Sequence, residues 1–215
     1  SVAYFSQQPF VLNATIRDNI CFEQDFEPEW YLEVLDACAL LPDLCVLPGG
    51  DLTEVGEKGI TLSGGQKARI GLARAVYSRA DVYLLDDPLS AVDAHVGQHL
   101  FERVVSSQTG LLKHKTRIFV TNALQFLRCS EEILAIGHGS VVERGQCDDR
   151  AAAQGSAFAR LMDTHATNVT TIASAAAEGD EDGQEAEGIG GFVGDAEQVK
   201  AKALLPQGQT GDETF

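Results

Sequence analysis

The chain has 215 residues, 44% of them apolar, with 32 acidic against 16 basic side chains and a formal net charge of −16. That length holds one good-sized domain with a real core, or a domain and a tail. So acidic a chain is a poor fit to a polyphosphate track, which argues against nucleic acid as a partner. No window of about eighteen apolar residues occurs, so no segment reads as a membrane span. The five cysteines are odd in number and scattered, with no CxxC pair, and read as free thiols in a reducing compartment rather than as disulfides or a zinc site.

Taken in chain order, Val2–Phe5 reads as a buried strand followed by a polar loop, Ser6 to Phe10. Residues 16 to about 48 are helical in pattern, with Trp30, Val34, Leu35 and Cys38 at helical spacing and Pro48-Gly49-Gly50 as the stop. A second helix is expected from about Gln66 to Ser78, its inner face formed by Ile70, Leu72, Ala73 and Val76. It is followed by a strand over 82–86, a helix from about Ala94 to Val105 and a strand over 117–121. A strand pair over 132–136 and 140–143 completes the alternation. Strands alternating with helices point to an α/β fold with a mostly parallel sheet and helices outside it. A short amphipathic helix is expected over 156–163. Beyond it the composition shifts to Ala, Gly, Glu, Asp and Thr, and residues 163–215 carry 11 acidic and 2 basic side chains. Residues 164–203 therefore read as an acidic, disordered linker; Thr164, Thr167, Thr170, Thr171 and Ser174 could accept phosphate there.

Two segments carry phosphate chemistry on their face. In Leu62-Ser63-Gly64-Gly65-Gln66 the adjacent glycines let backbone N–H groups approach a nucleotide, and the helix that follows aims its positive end the same way. The run Val82-Tyr83-Leu84-Leu85 delivers Asp86 and Asp87 to the end of a buried strand, where a carboxylate can hold magnesium. His95 and His99 stand four apart on an expected helix with Glu102 nearby, a spacing read as a solvated helix face rather than a metal site. Arg74 and Arg79 read as salt-bridged surface arginines rather than phosphate steerers.

These residues resemble the ATP-binding-cassette (ABC) ATPases, and over residues 1 to about 163 the first nucleotide-binding domain of the C-subfamily, the multidrug-resistance-associated type. Phe5-Ser6-Gln7-Gln8-Pro9-Phe10 and the following Asn13–Ile20 are similar to that family's Q-loop. Gly56 to Lys67 is similar to its signature loop, and Asp86-Asp87-Pro88-Leu89-Ser90-Ala91-Val92-Asp93 to its Walker B motif and D-loop. The resemblance implies a RecA-like P-loop NTPase core with a helical signature subdomain, N-terminally truncated. Its parts would be a core strand and Q-loop in 1–15, the helical subdomain in 16–80, the remaining core in 81–163, the linker in 164–203, and in 204–215 a weak resemblance to the approach to a second membrane domain. It implies ATP and Mg2+ as ligands. Gln7 and Asp86 would attend the metal, and Gln7 the attacking water as well. Ser63, Gly64, Gly65, Gln66 and Asp93 would meet nucleotide.

Two departures stand out. Asp87 occupies the place where competent cassettes carry Glu, so its carboxylate lies roughly 1.5 Å further back, and errors near 1 Å cost about a hundredfold in rate. Asn122 stands where the family has its switch histidine, and an amide carries no positive charge and relays no proton. A degenerate own site beside an intact signature is expected, with the signature serving the ATP site of a partner nucleotide-binding domain. No GxxxxGK[ST] loop occurs in the sequence, so the segment alone is expected to bind ATP poorly. Starting at Ser1 inside a strand, it reads as an excerpt of an ATP-driven exporter, placed on the cytoplasmic face of a membrane and joined to transmembrane domains. A non-transporting channel or regulator of the same family remains open at this point. A soluble ABC ATPase acting on DNA or ribosomes fits less well, because coiled-coil insertions and basic surfaces are absent.

Overall fold

The computed structural model describes residues 1–56, 60–146 and Ala159. Two compact units divide them, one over Ser1–Asn122 and one beginning at Ala123. In chain order the first unit contains β1 (Val2–Phe5), β2 (Ala14–Thr15), α1 (Ile16–Cys21), α2 (Pro28–Ala37), α3 (Leu41–Val46), β3 (Glu54–Val55), α4 (Gly64–Tyr77), β4 (Val82–Asp86), α5 (Ala94–Leu100) and β5 (Thr116–Val120). The second unit holds a 3-10 turn over Leu124–Cys129 and an antiparallel hairpin, β6 (Ile133–Gly137) with β7 (Ser140–Gly145).

The expected α/β architecture is present. β1, β4 and β5 form a parallel sheet in that order, with Phe5, Leu85 and Phe119 side by side. Parallel neighbours need long crossovers, which here are the helical segment between β1 and β4 and the α5 segment between β4 and β5. Ala3, Phe5, Tyr83 and Leu85 are buried on one face, while Val2, Tyr4, Ile118 and Val120 stand exposed on the other. The buried face meets α4, whose Ile70, Leu72, Ala73 and Val76 are all buried as the helical spacing requires.

Local chemistry corrects several expected boundaries. The helical stretch after residue 16 is three short helices. They are interrupted at Phe22, Glu23 and Ala39, which all have positive φ, and Pro28 and Pro42 each stand in a first turn. The signature helix starts at Gly64, two residues earlier than its apolar pattern shows, because Ser63 caps it. Periodicity is blind to a first turn that carries only glycine. The helix expected over 94–105 is α-helical only to Leu100 and ends in a π-helical turn, Phe101–Val105. The pair β2–β3 has no sequence signal, since two residues per strand leave no period to read. Of the helix expected over 156–163 only Ala159 is described, in helical conformation. Residues 57–59, the linker and the 204–215 segment lie outside the described residues.

One buried ion pair fastens the segment between β2 and β3. Arg17 on α1 donates from Nε to Asp51 Oδ2 at 2.6 Å and from Nη2 to Asp51 Oδ1 at 3.0 Å. The two side chains are 5% and 0% exposed, and Phe26 lies against the guanidinium at 4.5 Å. This fork fixes the 3-10 turn Gly50–Leu52, and with it the chain leading to β3, onto α1. Burial and the Asp51 charge together push the neighbouring Tyr31 hydroxyl well above its ordinary range. Arg17→Met would strand a buried carboxylate and should cost about 3–5 kcal/mol in denaturant unfolding of the protein. Arg17→Met with Asp51→Leu should recover most of that loss, and a double variant no more stable than the single one would contradict this account of the pair.

Candidate functional site: a sheet edge and a capped glycine loop

The parallel register decides what meets at the carboxyl end of the sheet. Phe5, Leu85 and Phe119 are level, so the chain leaves β1 toward Gln7, β4 toward Asp87 and β5 toward Asn122 at one edge. Open α/β sheets bind ligands at this edge. Asp86 is the last residue of β4 and pairs with Val120. Asp86 and Asp87 are half-buried, whereas Gln7 and Asn122 are exposed. Asp87 has φ +50°, its N–H donates to Val120 O at 2.9 Å, and its carbonyl accepts from Ser90 Oγ at 2.8 Å. The left-handed region is costly for most side chains, and Asp is among those that enter it most readily. Backbone geometry thus gives residue 87 a reason to be Asp that sequence reading did not see. Among the described residues no three His, Cys, Asp or Glu side chains converge as metal ligands. A magnesium site here would rest on Asp86, Gln7 and ligand oxygens, which suits a cation that keeps much of its water.

The glycine loop is built as a reciprocal cap. Gln66 N donates to Ser63 Oγ at 3.2 Å and Ser63 N donates to Gln66 Oε1 at 3.0 Å. This capping box occupies the N–H of the third residue of α4. Among the described residues nothing accepts from the N–H groups of Gly64 and Gly65, which point out of the start of a 14-residue helix. The two glycines differ. A Cβ at Gly65 would lie 3.0 Å from Ala91 O, so this glycine lets the D-loop pack against the signature loop. A Cβ at Gly64 would meet nothing within 4 Å, and its φ is not positive. Asp93 accepts from His95 N and Val96 N, both at 3.0 Å, and so caps α5. The Val96 N–H, followed by that of His95, holds its carboxyl below the usual range.

Between the sheet edge and the glycine loop lies a link the sequence did not announce. Gly71, on α4, packs so closely that a Cβ would sit 3.2 Å from Phe5 Cε2 and from Pro9 Cβ. Buried Asn19 accepts from Leu12 N at 2.7 Å and donates to Leu12 O at 3.1 Å, holding the segment after the Q-loop. Arg74 donates to Asn19 O at 2.7 Å and to Asn19 Oδ1 at 3.0 Å, with Phe10 and Phe22 against its guanidinium. The expectation of a salt-bridged surface arginine is wrong for Arg74, whose half-buried guanidinium bonds neutral oxygens and has its pKa pulled down by desolvation. It is right for Arg79, which pairs with Glu27 at 2.6 Å and lies over Trp30. His99 lies 3.1 Å from Asp36 O, and Glu102 accepts from Gln98 instead of joining a metal cluster.

Residues 1–90 match the ABC transporter family. The chain is 55% identical over 164 residues to human "ATP-binding cassette sub-family C member 2", an alignment covering 76% of this chain and 10% of that protein. It is 49% identical over 194 residues to "Multidrug resistance protein mrp-7" of Caenorhabditis elegans, covering 90% of this chain and 12% of that protein. To "Bile pigment transporter 1" of Saccharomyces cerevisiae it is 55% identical over 149 residues, covering 69% and 10%. The chain spans about a tenth of the length of these curated relatives. Fold, motifs and matches together define a nucleotide-binding domain of the ABC type. The chain belongs to the ABC transporter family, and its relatives place it in the C-subfamily, the multidrug-resistance-associated type.

Gly71→Val should drive methyl groups into Phe5 and Pro9, lower stability by about 1–3 kcal/mol and displace the Q-loop. Urea unfolding reads the first effect and protease sensitivity at residues 6–12 the second. An unchanged midpoint with an unchanged cleavage pattern would show that α4 and β1 can part at no cost.

Proposed function

We propose that this chain is the part of an ATP-driven exporter's first nucleotide-binding domain that completes an ATP site held by a partner domain. The observation that carries this reading is Gly64. Neither backbone conformation nor packing among the described residues requires glycine there. A demand from outside the chain accounts for it: room for an anionic group against two unpaired N–H groups at a helix start. Ser63 Oγ already accepts from Gln66 N, so its hydroxyl hydrogen is left to donate to a phosphate oxygen. Gln66 has both ends of its amide engaged within the chain, Oε1 by Ser63 N and Nε2 by Asp43.

The chain's own sheet edge fits a weaker site. Asp86 would hold magnesium, with Gln7 beside it orienting water. ATP and magnesium supply the phosphoryl group and its charge neutralisation when bound. Asp87 and Asn122 are the two positions least able to polarise that water, the first too short and on a constrained backbone, the second uncharged. Asp93, engaged in capping α5, serves the composite site by shaping the D-loop against Gly65. The partners are a second nucleotide-binding domain and transmembrane domains, with this chain on the cytoplasmic side. No helix among the described residues is long and apolar enough to cross a membrane.

In the full-length protein, Gly64→Asp or Ser63→Arg should lower ATPase activity and transport at least about a hundredfold, the scale of losing one transition-state donor. Normal hydrolysis and transport in both variants would sink the role given to the signature loop. Asp87→Glu alone should leave the weak site nearly as it is, and Asp87→Glu with Asn122→His should raise hydrolysis. A large gain from Asp87→Glu by itself would refute the double lesion.

A further inference from the structure

The signature loop is held from one more place, on a helix that neither the motif nor the comparisons single out. Asp43, in the first turn of α3, makes no side-chain cap for its own helix. Both of its oxygens face α4 instead. Oδ1 accepts from Gln66 Nε2 at 2.9 Å and from Arg69 Nη2 at 3.3 Å, and Oδ2 lies 2.7 Å from Arg69 Nη1. The carboxylate and guanidinium are 19% and 14% exposed, shielded enough for these bonds to keep their strength. Arg69 also donates to Ala39 O, just past the end of α2, and to Gly65 O at 3.3 Å.

We infer that Asp43 is a positioning residue for the signature loop, acting on Ser63 through the Gln66 amide. The reason is the asymmetry of that amide, which has a donor end and an acceptor end. A carboxylate only accepts, so Asp43 takes the NH2 end and turns Oε1 toward Ser63. Oε1 then receives the Ser63 N–H at 3.0 Å, and the Gln66 N–H returns to Ser63 Oγ at 3.2 Å. With one lone pair of Oγ committed to the helix, the Ser63 hydroxyl hydrogen is left to donate away from the Gln66 N–H. Removing Asp43 frees the amide to rotate, and the serine loses the partner that sets its rotamer.

This inference rests on the reading of Ser63 as a phosphate donor, and the test separates the two. In the full-length protein, steady-state ATPase is measured for Ser63→Ala, Asp43→Ala, Asp43→Asn, Gln66→Ala and the double variant Asp43→Ala with Gln66→Ala. Membrane abundance checks folding in each case. Asp43→Ala should lower kcat about tenfold, less than the roughly hundredfold of a full 1 Å misplacement, with KM for ATP moving less than threefold. Asp43→Asn keeps an acceptor for Gln66 Nε2 and should restore at least half of the lost rate. The double variant should be no worse than Gln66→Ala alone, because both changes remove one restraint. If Ser63→Ala loses activity while Asp43→Ala at normal abundance does not, the positioning role is overturned and the signature reading stands. Multiplying losses in the double variant would also overturn it, as would failure of Asp43→Asn to recover rate, since either outcome marks Asp43 as a packing residue of α3. If Ser63→Ala itself hydrolyses normally, the signature reading fails and this inference falls with it.

Discussion

The close approach of α4 to β1 at Gly71 is the contact on which the remainder of this domain depends. A helix meeting a sheet through a glycine comes nearer than any other side chain allows, and here it brings the helix against both Phe5 of the sheet and Pro9 of the Q-loop. Three consequences follow along one 14-residue helix. Its start presents the signature glycines, its middle seats on the strand, and its last turn sends Arg74 to Asn19 and the segment after the Q-loop. A rigid helix of this length transmits a displacement at one end to the other, so the loop that would sense nucleotide and the loop beside the sheet edge are held by one body.

Polar interactions among α1, α3 and α4 share a pattern. Asp51 is held by Arg17 and Asn19 by Arg74 through two hydrogen bonds each, and Asp43 by Arg69 through one hydrogen bond and a 2.7 Å ion-pair contact. A planar fork fixes orientation as well as distance, which a lysine does not. Short helices need such fasteners. α1 and α3 have six residues each, too few to be stable by backbone hydrogen bonding alone. These helices are therefore assembled by side chains reaching between elements, and their stability and the placement of the glycine loop come from the same bonds.

Much of the fold was legible because it is periodic. β1, β4 and β5 sit within a residue of their expected places, and the inner face of α4 is the one its spacing marks. The motifs were legible because phosphate chemistry needs small residues next to a helix start and carboxylates at a strand end. What escaped has physical reasons. A two-residue strand has no period, a capping serine hides the true start of a glycine-led helix, and a left-handed φ at Asp87 leaves no mark on neighbouring residue types. Arg74 was misread because an arginine's partner can stand 55 residues away, and nothing local tells a carboxylate partner from a carbonyl.

By itself the sequence determined the family and the α/β class, and it raised the expectation of weak chemistry at Asp87 and Asn122, since these readings follow from residue identity at fixed spacing. The tertiary structure alone decided which glycine is spent on packing and which faces outward, that Gln66 is turned inward to brace Ser63, and that Asp43 on another helix holds that glutamine in place. Residue types state which bonds a side chain can make. Only the meeting of α3 with the start of α4, through residues 23 apart in the chain, chooses which of those bonds exist.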